Sequence, residues 1–81
     1  MEFDLRGTEW PECVIRCNDA LARLQPGKDV VFIVEGADVL SNILLLVKSK
    51  PNCTYVQSQC ADFYQIHVMH AQPTGGGAAP R

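Results

Sequence analysis

Apolar and polar positions alternate at the start of the chain. Phe3 and Leu5 fall on one side and Glu2 and Asp4 on the other, which predicts a short strand over 2–5. Arg6-Gly7 ends it, and Thr8-Glu9-Trp10 forms a loop leading to Pro11. From there the period lengthens. Val14, Cys17, Leu21 and Leu24 recur at helical spacing, with Cys13 and Ala20 flanking that stripe and Arg16, Asn18, Asp19 and Arg23 opposite. Pro11 suits the first helical position, because its missing N–H is not needed there. Glu12 places a negative charge in the first turn, and Gln25-Pro26-Gly27 stops the helix.

Val30–Val34 is a continuous, largely β-branched apolar run, the pattern of a central strand. Asp38 is the expected cap of a second helix from Val39 to about Ser49, with Leu40, Ile43, Leu44 and Val47 as its core stripe. Leu45 and Leu46 fall off that stripe and leave apolar surface to cover. Two strands follow, over 54–59 and 63–69, joined by Cys60-Ala61-Asp62. From residue 71 the chain turns to Pro, Gly and Ala and reads as a disordered tail. The order β-α-β-α-β-β predicts one domain over 1–70. Its fold class is α/β, an α+β two-layer sandwich: a four-stranded mixed sheet, parallel at its start and hairpin-paired at its end, with two helices on one face.

The length of 81 residues leaves room for one core only. A domain this small has little space for a deep pocket, so any chemistry is expected on one exposed reactive side chain. A homodimer is one way to bury more surface. The charge of −2 lacks the basic excess of a nucleic-acid binder. Gly75–Gly77 has no strand and helix around it to make a phosphate loop. No apolar run approaches the roughly 20 residues of a membrane span. Met-Glu-Phe-Asp does not open like a signal peptide, so a cytoplasmic protein with reduced cysteines is expected.

Asp4-Leu5-Arg6-Gly7, then Pro11, then a helix ending Ala20-Leu21-Ala22-Arg23-Leu24-Gln25-Pro26-Gly27, resembles the TusA/SirA family of small sulfur carriers. The resemblance runs from about Phe3 to Val68. It implies the sheet and helices deduced above. It also implies a cysteine, in a C-P-x-P motif, that takes sulfur as a persulfide from a donor protein and passes it to an acceptor protein. Such a protein is a carrier rather than a turnover enzyme and calls for no cofactor. Here the motif falls on Trp10-Pro11-Glu12-Cys13, so tryptophan replaces the family cysteine and cysteine its second proline.

Two readings of the site follow. In the first, Cys13 is a displaced sulfur acceptor, favoured by free amides in the first helical turn, with Cys17 four residues on as a resolving thiol. Arg6 and Arg16 then offset the charges of Glu9 and Glu12. In the second, Cys13 packs beside Val14 and Cys17, sulfur chemistry is lost, and the chain is a non-catalytic interaction module. Trp10, Pro11, Glu12 and Arg6 are the expected binding residues in either case. Trp10 is read either as a staple between strand and helix or as an aromatic anchor for a partner. The cysteine spacings C-x₃-C and C-x₆-C do not match the usual zinc pairs, so no metal site is expected. His67 is expected on the outer face of the last strand.

Overall fold

A computed structural model describes residues 2–72. The elements are β1 (Glu2–Asp4), α1 (Glu12–Arg23), β2 (Asp29–Val34), α2 (Ala37–Lys48), β3 (Cys53–Gln59) and β4 (Tyr64–His70). They form one four-stranded sheet in the order β1-β2-β4-β3. β1 runs parallel to β2, whereas β4 is antiparallel to both of its neighbours. The fold is the expected two-layer α+β arrangement.

Register explains which sheet face carries the core. Phe3 pairs with Phe32, and Phe32 with Ile66. Val30 pairs with Val68, and Val68 with Tyr55. Partners in register point to the same face, so these residues line the side covered by the helices. There they pack with Leu5, Cys13, Cys17, Ala20, Leu21, Leu40, Ile43 and Val47. The opposite face carries Val31, Ile33, Val56, His67 and Met69, and neither α1 nor α2 covers it. Ile33 is buried yet stands apart from the main cluster for this reason.

Strand bounds differ from the sequence reading by a residue here and there, and four local features differ in substance. Pro11 is the N-cap of α1 rather than its first helical residue. Helix α2 starts two residues early, because Gly36 takes the N-cap with φ 87°. That positive φ suits glycine, and it moves Asp38 from the cap into the first turn, where its charge still favours the helix dipole. The stripe of α1 is rotated toward Cys13: Cys13, Cys17, Ala20 and Leu21 are buried, whereas Val14 and Leu24 are half-buried. Finally, Ala71 is not yet tail. Its N–H donates to the Asn52 carbonyl at 2.8 Å and extends the hairpin ladder. The rest of the expected tail, residues 73–81, lies outside the described residues.

Candidate functional site

The loop from Leu5 to Pro11 and the first turn of α1 hold the residues singled out in the sequence. Arg6 folds back on Asp4. Its Nε and Nη2 donate to the two carboxylate oxygens at 3.0 and 2.8 Å, and its backbone N–H donates to Oδ1 at 3.0 Å. Its guanidinium also lies 4.9 Å from the centre of the Phe63 ring. Arg6 is therefore already committed to a bidentate pair and an aromatic face. Arg16 is likewise engaged, donating to Glu12 Oε2 at 2.9 Å, one helical turn away. Neither arginine is left free to hold an anion beside Cys13.

The bonds from Arg6 hold the Asp4 carboxyl at about 2, against its usual 3.8. A depressed carboxyl stabilises the fold above its ordinary range, and that contribution fades as pH falls through the folded value. An NMR titration is expected to place the Asp4 midpoint near 2 and to return it to the ordinary range in Arg6→Ala. A wild-type midpoint near 3.8 would show that the pair does not form in solution.

Cys13 is 0% exposed. This corrects the exposed thiol that the sulfur-acceptor reading requires. The burial follows from the rotation of α1, which turns Cys13 toward the sheet and into the same cluster as Cys17. Two of the amides that would favour an anion are also occupied. The Cys13 N–H donates to Glu9 O at 3.1 Å and the Val14 N–H to Pro11 O at 3.1 Å, while proline has no N–H to offer. The positive end of the helix is thus partly closed by the loop before it.

Cys17 is also 0% exposed, as the helical stripe predicts. Burial pushes its thiol up to about 12, helped by the neighbouring Cys13 and opposed by Lys50. A thiol this reluctant to ionise is a poor nucleophile, so Cys17 does not serve as a resolving cysteine in this conformation. Cys53 and Cys60 are half-buried free thiols on β3 and at its end. His67 lies on the helix-free face, 2.6 Å from Asp29 Oδ2, and cannot approach Cys13 through the sheet. His70 Nδ1 lies 2.8 Å from the Ala71 carbonyl oxygen. Among the described residues, no three His, Cys, Asp or Glu side chains converge as a metal site would need.

Beside the charged Arg6, Glu9, Glu12 and Arg16, the site exposes apolar surface. Trp10 is 60% and Ile15 61% exposed, and Pro11 is open to solvent. Pro11 and Ile15 are four residues apart and share one side of the helix start, with Trp10 adjacent. The Ile15 N–H donates to Pro11 O at 3.1 Å, which fixes that spacing. Ile15 was not among the residues expected to bind. Its signal was nonetheless present, as an isoleucine lying off the core stripe one turn after Pro11. Leu45 is exposed too, but on α2, and Leu46 is half-buried against the core.

A groove lies elsewhere. A space of about 530 Å³ opens at the far end of α1, between Ala20, Leu24, Phe3 and Val30, with Arg23 and Lys28 also in its lining. At 1.5 Å per residue that end of the helix is roughly 17 Å from Glu12, so the groove is no part of the Trp10 rim.

Among the described residues, no helix is long and apolar enough to cross a membrane. No protein-family model matches the chain, and no curated protein matches it.

Proposed function

We propose that this chain is an interaction module on a TusA/SirA-like scaffold. It docks a partner protein through Trp10, Pro11 and Ile15, and Cys13 serves in its core rather than carrying sulfur. The observation that carries this reading is the complete burial of Cys13 together with the exposure of Trp10 three residues before it. The family's nucleophile position now holds an indole, and the nearest thiol is turned inward. An exposed tryptophan flanked by proline and isoleucine gives rigid apolar area at small entropic cost, as interface anchors do. The partner it fits is a protein with an apolar pocket wide enough for an indole. The element order, the D-x-R-G strand end and the L-x-P-G helix end support the scaffold part of the proposal.

Sulfur loading separates this function from the carrier reading. The chain is incubated with a cysteine desulfurase and cysteine under conditions that load a standard carrier, then weighed. No gain in mass is expected. A gain of about 32 Da, one sulfur atom, that disappears in Cys13→Ala would overturn the proposal and restore Cys13 as a persulfide carrier. Once a partner is in hand, Trp10→Ala is expected to weaken binding by roughly 30-fold or more, the range of a central aromatic anchor. Cys13→Ser, if folded, should leave binding unchanged.

A further inference from the structure

The two edges of the sheet are built differently. β1 is three residues long, with acidic residues at both ends, and such short, charged edges resist pairing with other chains. β3 is seven residues long, Cys-Thr-Tyr-Val-Gln-Ser-Gln, with no charge and no proline. Its pairing with β4 is continuous from Cys53 to Gln59, with no bulge to twist the edge away.

The hydrogen-bond phase of the hairpin shows which backbone groups this edge offers. Ala71 N–H donates to Asn52 O and Cys60 N–H to Phe63 O, each at 2.8 Å. Antiparallel ladders alternate, so Thr54, Val56 and Ser58 also turn their amides and carbonyls toward β4. Tyr55, Gln57 and Gln59 turn theirs outward, and so does Cys53 with its carbonyl, its amide being taken by the Lys50 carbonyl at 3.2 Å. Among the described residues no strand lies beyond β3 to receive them.

We propose that β3 pairs antiparallel with β3 of a second copy of this chain, centred on Val56, to make one continuous sheet through a two-fold dimer. This pairing is independent of the Trp10 rim. In it Tyr55 and Gln57 of the two copies exchange both backbone bonds, and the Gln59 amide of one copy meets the Cys53 carbonyl of the other, so outward-facing groups meet outward-facing groups. A shift of one residue would set outward groups against inward ones, and a shift of two shortens the overlap. On the helix-free face Thr54 meets Ser58, and Val56 meets its own copy. Val56 is 56% exposed in the single chain, and at a non-hydrogen-bonded pair the side chains approach most closely. The charges just beyond the strand are complementary. The same register brings the basic Lys48–Lys50 end of one copy toward Asp62 of the other. No like charges face each other along the strand itself, which favours a second copy over a partner chosen by charge.

Sedimentation and register-specific crosslinking test the proposal on the full chain. The wild type is expected to change from monomer to dimer as concentration rises. Val56→Lys sets two like charges opposite each other and is expected to weaken the dimer roughly tenfold or more. Gln57→Pro removes only an outward N–H, so it should block pairing while circular dichroism stays that of the folded chain. If Gln57→Pro fails to fold, Val56→Lys still decides. In a Cys53→Ser, Cys60→Ser background, Val56→Cys with oxidised glutathione is expected to give a covalent dimer. The opposed Cα atoms would lie about 4.5 Å apart, at the short end of the roughly 4.4–6.8 Å span a disulfide bridges. Thr54→Cys in that background should not crosslink, because Thr54 faces Ser58. A wild type that stays monomeric at every concentration would overturn the proposal, as would a dimer untouched by both edge variants. Crosslinking at Thr54→Cys but not Val56→Cys would overturn the register.

Discussion

Phe32→Ala is expected to lower the unfolding free energy by about 3–5 kcal/mol, the usual cost of emptying a buried aromatic site. Phe32 is 0% exposed and sits in the middle of the helix-covered face, in register between Phe3 and Ile66. Its ring lies 5.8 Å from that of Phe3, tilted at 36°, so the substitution also removes an aromatic contact to the short strand β1. That contact matters because β1 has only three paired residues, and its position sets the loop that carries Arg6 and Trp10. Domains of this size have only a few kcal/mol to lose. Most of the variant should therefore be unfolded, or close to its urea midpoint, without denaturant. Ile15→Ala, exposed on α1, should change stability by less than about 0.5 kcal/mol, as surface substitutions do. A urea melt of the two variants beside the wild type checks both. A Phe32→Ala midpoint within error of the wild type would mean that the sheet does not close on this residue.

Much of this core was legible before any coordinates. The run Val30–Val34 marked the central strand, and the Pro-Gly stop after Leu24 marked the end of α1. Their short spacing made a parallel β1–β2 pair and a final hairpin the natural solution. The rotation of α1 was harder to read, because cysteine and valine are both at home in a core. A stripe through Val14 and one through Cys13 fit the sequence about equally well. What goes with the rotation is local: the Glu9 carbonyl in the loop before the helix takes the Cys13 amide where the first turn begins. The cap at Gly36 was missed for a related reason. Asp38 is the better capping side chain, but the chain leaves β2 with a positive φ that glycine tolerates. At the site, Trp10 and Cys13 were identifiable as departures from the pattern that Pro11 keeps. Ile15 was passed over because no motif includes it, although it lies off the core stripe one turn after Pro11.

The largest functional consequence concerns the thiols. Alkylation needs both a thiolate and an open path to it. Cys13 and Cys17 lack the path, being 0% exposed, and Cys17 also lacks the thiolate, with its thiol pushed up to about 12. They can react only when the helix start or the whole domain opens. For a domain of ordinary stability that happens in fewer than about one molecule in a thousand. Cys53 and Cys60 are half-buried and need no such opening. The measurement is a time course of native alkylation with iodoacetamide, resolved by cysteine through peptide mass spectrometry, with a parallel course in urea. Cys13 and Cys17 are predicted to react at least ~10³-fold more slowly than Cys53 and Cys60 in the folded chain, and all four at similar rates once it is unfolded. A folded protein in which Cys13 reacts as fast as Cys53 would contradict the buried-core assignment and the interaction-module reading built on it.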